Sequence, residues 1–258
     1  MDDVDDVLLS SQEGIIIRLH ANEIPLQSRY GSGVRVMRLR GDTEGAGGPG
    51  RFVEAAVPGF FLRRPFSVCG CEGDELTIVV KLAGRGTETL LSLEPGAELE
   101  LLTGLGNGFD LTKCGEAPLL LGGGSGVPPM LYLARELAKL GARPAAALGF
   151  GSAGEVFFER EFREVCGEVR VFTADGSHGE RGLVTEALGE GYSAVCACGP
   201  LPMLRAIDEQ SRVPAQFSLE ARMGCGFGAC MGCTIETANG PRRVCKDGPV
   251  FASGEVRW

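Results

Sequence analysis

The sequence predicts a small antiparallel β-barrel, then a parallel α/β domain, then an irregular cysteine-rich C-terminal arm. Three observations carry this. Residues 1 to about 112 break into short β-branched runs with turn residues between them, "GIIIRLHA", "GVRVMRLRG" and "ELTIVVKLAG" among them. From about 115 apolar runs alternate with helical patterns, and beyond about 213 regular patterning stops where cysteines gather.

In the first part only "ETLLSLEP" has the pattern of a helical turn, and six or so short strands in that length suit a small barrel. "APLLLGGG" then reads as a buried parallel strand ending in glycines. The helix after it, "PPMLYLARELAKLG", opens on proline, stops at Gly141 and places Met130, Leu133, Leu137 and Leu140 on one face. "PAAALGFG", "FFEREFREV", "EVRVFTADG", "GLVTEALGEG", "AVCACGP" and "LPMLRAIDEQ" continue strand, helix, strand, helix, strand, helix, the order of a parallel sheet with crossover helices. There is no internal repeat.

At 258 residues the chain has room for two domains, and 44% hydrophobic residues can build a core. Its 40 glycines are about twice the usual share of roughly 7%. Without a Gly-x-y period, they imply a backbone that closely approaches something in several places. A net charge of −9 with no basic block argues against nucleic acid or an anionic membrane as partner. The acidic start "MDDVDDVLL" is unlike a signal peptide, and the most apolar region is broken by glycines and prolines, so a cytoplasmic chain with no membrane span is expected. In that compartment ten cysteines should be free, metal-bound or catalytic. Two distant histidines, His20 and His178, make a histidine-based metal site a poor reading.

Cys225, Cys230, Cys233 and Cys245 are spaced C-x4-C-x2-C-x11-C, and the first three follow the plant-type spacing for a [2Fe–2S] cluster. Gly224, Gly226, Gly228 and Gly232 free the backbone to wrap a cluster and aim N–H groups at its sulfurs. Zinc is the alternative, although zinc ribbons usually show two Cys-x2-Cys knuckles and here there is one. Cys69/Cys71 and Cys196/Cys198, each pair facing one side of a strand, read as small buried hydrophobes. A terminal tryptophan, Trp258, ordinarily sits on a frayed tail.

"LLLGGGSGVPPM" places a glycine loop between strand and helix, where a nucleotide pyrophosphate meets a helix N-terminus; Val127 stands where G-x-G-x-x-G would end. "CACGPLPML" is a second strand end of that type. Arg64 in "FLRRPFSVCG" is either a surface arginine or a phosphate partner, and Gly84 to Thr87 either a plain turn or a phosphate nest.

Together "RRPFS", "GRGTETL", "GLGNGF", "LLLGGGSGVPPM", "LGF", "TADGS", "CGPLPML" and "SLEARMGCGFGACMGC" through "RVCKDGPVF" resemble, in order, the electron-transfer subunits of class 1B dihydroorotate dehydrogenase, in the ferredoxin–NADP reductase superfamily. The resemblance runs from about residue 8 to 252. It implies a FAD-binding barrel over 1–112, a NAD-binding α/β domain over 113–212 and a [2Fe–2S] arm over 213–258. By that resemblance Arg64, Pro65, Phe66 and Ser67 hold the flavin, Val79, Val80 and Lys81 line it, and Gly86 and Thr87 cap its pyrophosphate. Gly123, Gly124 and Gly126 face the nicotinamide dinucleotide, with Gly199 and Pro200 opposite. The implied partner is an FMN-containing catalytic subunit oxidising dihydroorotate, in a heterotetramer of two of each chain, with electrons passing from FMN to cluster to FAD to NAD+. No acid–base triad is needed, and the sequence shows none. Ser125 departs from the pattern, which would have an aliphatic residue there. Glu155 follows the second parallel strand with no adjacent arginine, Arg160 lying further on, and an acid favours the free ribose hydroxyl of NAD. The rival readings are a FAD/[2Fe–2S] subunit of a sulfide dehydrogenase, transhydrogenase or hydrogenase-like complex, and a scaffold tied by a structural metal.

Overall fold

The computed structural model describes residues 10–11, 14–20 and 34–258. Its first sheet comprises β1 (Ser10–Ser11), β2 (Gly14–His20), β3 (Val34–Arg40), β4 (Phe52–Ala55), β5 (Arg64–Glu72), β6 (Glu75–Lys81) and β7 (Glu98–Leu105), with helix α1 (Arg85–Leu91) between the last two. The order is β1-β2-β3-β6-β5-β4-β7, and β2 also pairs with β7, so the antiparallel sheet closes on itself as the barrel patterning predicts. Strand period decides what faces in. Leu76, Ile78 and Val80 of β6 are fully buried, while the residues between them face out.

The second sheet is built from β8 (Leu119–Gly123), β9 (Ala145–Phe150), β10 (Glu168–Thr173), β11 (Glu180–Arg181), β12 (Val195–Cys198), β13 (Ala215–Ser218) and β16 (Val250–Ala252). Its order is β11-β10-β9-β8-β12-β13-β16, parallel except for β16. Helices α2 (Val127–Lys139), α3 (Glu159–Val165) and α4 (Leu201–Gln210) cross between strands; the hairpin β14 (Thr234–Thr237)–β15 (Gly240–Arg243) and α5 (Val244–Asp247) complete the arm.

Four expectations change. The segment "GLVTEALGEG" forms only a 3-10 turn at Val184–Ala187, because Gly189 and Gly191 follow too soon for a helix to propagate. Leu140 is 68% exposed, since α2 ends one residue before it and the core-facing stripe ends with the helix. The chain is not simply irregular after 213: β13 extends the parallel sheet and β16, from the end of the arm, pairs antiparallel with it. Trp258 is no frayed tail. Its indole N–H donates to Asp208 at 2.7 Å and its ring packs edge-on to Phe217 at 5.8 Å. Cys69, Cys196 and Cys198 are buried as expected and Cys71 half-buried.

Two joints hold these parts together. The linker leaving the barrel is clamped by Gln216, whose side chain accepts from Asp110 N–H at 2.8 Å and donates to its carbonyl at 3.0 Å. Ser193 donates to the Cys114 carbonyl at 2.6 Å, and the buried Cys114 and Cys196 sulfurs lie 3.6 Å apart beside Gln216. The arm is held by Asn107, which accepts from Val250 N–H at 3.0 Å, donates to the Val250 carbonyl at 2.8 Å and whose own N–H reaches the Gly248 carbonyl at 2.8 Å.

Because Trp258 packs on Phe217 of β13 and donates to Asp208 of α4, Trp258→Ala should lower the unfolding free energy by about 2 kcal/mol in urea titration. A change below about 0.5 kcal/mol would mean the tail contributes no packing.

Candidate functional site

A cleft of about 410 Å³ lies where the barrel meets the N-terminus of α2. Strand β5 supplies Pro65, Phe66 and Ser67; β6 supplies Val79 and Lys81; Thr87, Ser125, Pro128 and Phe157 close the other sides. The Val80 side chain faces the barrel core instead, one residue out of phase with its neighbours, which leaves only its backbone for the cleft. Arg64 sits beyond the cleft wall. A β-carbon on Gly86 would come within 2.9 Å of its Nε, so the guanidinium lies against the first turn of α1, fixed by a 2.7 Å hydrogen bond to the Leu62 carbonyl. Thr87 accepts from Ala83 N–H at 2.9 Å and Gly84 N–H at 3.1 Å, holding that turn shut. The result is an apolar slot with a cation and a backbone turn at one end, a shape that suits a flat ring carrying an anionic tail.

The two glycine loops at the carboxyl ends of β8 and β12 are pressed together. A β-carbon on Gly126 would overlap the Cys198 carbonyl, and one on Gly123 would lie 2.6 Å from Met203 Sδ and 3.0 Å from Pro200 Cδ. Gly199 likewise backs onto Gly123 at 3.1 Å, whereas Gly124, at φ +52°, faces open space. The structure thus brings Gly123, Gly124, Gly126, Gly199 and Pro200 into one ledge at the sheet switch point, where open α/β sheets take ligands. Ser125 extends from this ledge into the cleft and donates to Glu220 at 2.9 Å. Glu155 does not point to the ledge. Its carboxylate reaches Lys81 across the cleft mouth at 3.4 Å.

The four spaced cysteines fall into two pairs. Cys230 N–H donates to Cys225 Sγ and Cys245 N–H to Cys233 Sγ, both at 3.4 Å. Two thiols per metal is the arrangement of a two-iron cluster. Burial pushes the Cys225 thiol up, but N–H groups of Cys230, Phe227 and Ala229 outweigh it and bring it down to about 6. Burial pushes Cys245 up to about 12. Cys233 and Cys245 are buried and Cys230 is exposed. Glycine is required at Gly228, φ +93°, where a β-carbon would lie 2.7 Å from the Lys246 side chain. The donor set, the N–H groups aimed at sulfur and the glycine backbone all fit an iron–sulfur cluster.

Cleft and cysteine loop meet at Glu54, a residue no motif pointed to. It lies on β4 opposite Pro65, is 1% exposed, and neither carboxylate oxygen has a hydrogen-bond partner among the described residues. A β-carbon on Gly226 would come 2.6 Å from its Cγ, so the loop bearing Cys225 rests on it. Burial pushes the carboxyl up to about 7, against the opposing pull of Arg63.

Comparisons with known proteins now decide the family. A model described as the iron–sulfur cluster binding domain of dihydroorotate dehydrogenase B matches residues 220–257. The electron transfer subunit of dihydroorotate dehydrogenase B (NAD(+)) from Shouchella clausii (strain KSM-K16) is 42% identical over 223 residues, covering 81% of this chain and 86% of that one. The subunit from Bacillus caldolyticus is 44% identical over 224 residues, with the same coverage. The chain belongs to the electron transfer subunits of dihydroorotate dehydrogenase B. The solved structure of the NADH-dependent reduced ferredoxin-NADP oxidoreductase, described for flavin-based electron bifurcation, superposes with a TM-score of 0.82 at 26% identity, covering 92% of this chain and 90% of that one. Phthalate dioxygenase reductase, at 18% identity and a TM-score of 0.60, shares the fold.

The family likeness is narrower than the span from residue 8 to 252 expected from motifs, since these relatives align with 81% of the chain. Residues 5–45 instead match a model of the DNA gyrase C-terminal domain, a β-propeller. In this structure the described strands of that stretch pair within the barrel, β2 with β7 and β3 with β6. In the subunit fold, motif reading missed Asn107, Glu54 and Glu220. "GLGNGF" marked the first of these positions and "SLEARMGC" the last, both without their roles, whereas Glu54 is an isolated acid that only tertiary packing singles out.

Glu54 sets a pH test. Its carboxyl ionises near 4.5 when unfolded and near 7 when folded, so folding is penalised as pH rises through that window and the penalty is constant above it. Glu54→Gln should therefore gain stability over the parent as pH rises from about 4.5 to 7, measured as urea midpoints. A difference that stays flat with pH would show the carboxyl is not buried uncompensated.

Proposed function

We propose that this chain is the NAD+-facing half of a two-subunit enzyme, serving the reaction in which dihydroorotate and NAD+ become orotate and NADH. Family membership makes it an electron-transfer subunit that works with a catalytic partner. The finer reading is that the partner carries FMN and that two copies of each chain assemble. The observation that carries the reading is the meeting of three fitted features around one short segment, Ser218 to Cys225: the ring-shaped cleft, the dinucleotide ledge through Ser125–Glu220, and the first cysteine pair.

In this reading Cys225 with Cys230, and Cys233 with Cys245, hold the [2Fe–2S] cluster; Pro65, Phe66, Ser67, Val79, the Val80 backbone and Lys81 hold the FAD ring; and Arg64, Gly86 and Thr87 hold its pyrophosphate. Gly123, Gly124, Gly126, Gly199 and Pro200 hold NAD. When bound, the flavin exchanges two electrons with a nicotinamide and single electrons with an iron–sulfur centre. The chain's own residues position and insulate. Phe66, Phe157 and Pro128 keep water from the cleft, the Lys81–Glu155 pair ties the two domains at its mouth, and the N–H groups around Cys225 hold the thiolate form.

The test uses the chain co-purified with its native partner. Dihydroorotate-dependent NADH formation is expected, and Cys225→Ser should remove the cluster absorption and lower that rate at least 100-fold. NADH oxidation by ferricyanide, which needs only the flavin, should stay within about threefold. A preparation that oxidises NADH but ignores dihydroorotate would move the chain to the related transhydrogenase or sulfide dehydrogenase complexes.

A further inference from the structure

The four spaced cysteines come from two pieces of backbone. Cys225, Cys230 and Cys233 lie on the loop that precedes β14, and Cys245 lies on α5, beyond the β14–β15 hairpin. Hairpin register sets Thr234 opposite Arg243, which brings Cys233 beside Cys245. The outer part of the loop, with Cys225 and Cys230, stands outside that hairpin and is fastened by a side chain.

Arg243 makes the fastening. Its Nη1 donates to the carbonyl of Gly228, between Cys225 and Cys230 in the chain, at 3.0 Å. Burial pushes the Cys245 thiol up, and the N–H of the same Gly228, hydrogen-bonded to that thiol, pulls it back. One glycine thus takes the guanidinium on its carbonyl and turns its N–H to the fourth thiol. A β-carbon there would lie 3.3 Å from Arg243 Nη1, so the contact closes only on glycine.

The guanidinium is gripped from its other edge as well. Asp247, at the end of α5, accepts from Arg243 Nε at 3.2 Å, from Nη2 at 3.4 Å and from the Arg243 backbone N–H at 2.8 Å. A planar fork held on two edges is fixed in orientation, which a lysine ammonium is not. The pair is also balanced in charge. Asp247 stands two residues from Cys245, where its carboxylate alone would oppose an added electron, and the guanidinium cancels it. Charge and hydrogen bonds around the sulfurs are among the factors that set an iron–sulfur potential.

We propose that Arg243 is a positioning residue for the [2Fe–2S] cluster. It clips the three-thiol loop to the helix of the fourth thiol through Gly228, and with Asp247 it keeps the charge balance that sets the reduction potential there. The proposal rests on the cluster reading above.

A redox titration of the full-length chain, co-purified with its partner, tests this. Dithionite supplies one electron to the cluster through mediators, no bond is made or broken, and the reduced cluster is followed by its low-temperature EPR signal. Arg243→Gln leaves Asp247 uncompensated and should lower the ratio of reduced to oxidised cluster at a fixed potential by about tenfold, a shift of about 59 mV for one electron. Asp247→Asn leaves the guanidinium uncompensated and should raise that ratio by about the same factor. The double variant should return to within about threefold of the parent. Arg243→Lys keeps the charge and should hold the ratio within about threefold, yet without the fork it should lose iron to a chelator at least about threefold faster. Shifts of the same sign in the two single variants would overturn the charge balance, because a packing defect alone has no reason to reverse sign. An unshifted Asp247→Asn would overturn it too, even if Arg243→Gln fails to retain iron. Iron loss from Arg243→Lys at the parent rate would overturn the clip. A parent that gives no such EPR signal on reduction would instead remove the cluster reading itself.

Discussion

Helix α2 is the wall that both halves of the molecule share. It packs on β8 and β12 of the parallel sheet from one side and on β5 of the barrel from another, and it is buried from Val127 through Ala134. A helix apolar on so much of its surface cannot stand at a solvent face, so it holds barrel and sheet at one fixed separation. Tyr132 fixes that separation further by reaching into the barrel core and accepting from Gly48 N–H at 3.2 Å. The cleft lined by Pro65, Phe66 and Ser67 is the gap left at the N-terminal end of this wedge, and the glycine ledge is the loop that feeds it.

The cysteine arm is likewise folded into the body of the protein. Asn107 and β16 anchor its C-terminal part, and glycine at position 226 lets its N-terminal loop settle on Glu54. Electron transfer depends on short and constant distances, and these contacts keep the thiol pairs beside the cleft. The exposed edge of the loop, with Cys230, Phe227 and Met231, is left outward.

Glu54 shows the cost of this closeness. A buried carboxyl without a hydrogen-bond partner among the described residues is unfavourable by any measure of desolvation, yet it stands on β4, opposite Pro65 and beneath the cysteine loop. Stability is given up where the two candidate redox sites approach each other. The linker shows the opposite pattern, with nearly every polar group around Gln216 satisfied.

The sequence by itself determined the elements whose signals are local. The barrel strands, the βα alternation, the glycine loops and the ligand spacing of the cysteines were legible because strand period, helix punctuation and metal-ligand spacing act over a few residues. Tertiary structure alone decided what depends on approach between distant segments. The pairing of Cys225 with Cys230 and of Cys233 with Cys245, the burial of Glu54 beneath Gly226, the diversion of Glu155 to Lys81 and the docking of Trp258 on Phe217 join residues far apart in the chain or set by packing geometry. The failed helix at 182–191 and the added strand Ala215–Ser218 have the same origin. A short segment takes the form its neighbours can hydrogen-bond and bury, and those neighbours are set by the whole fold.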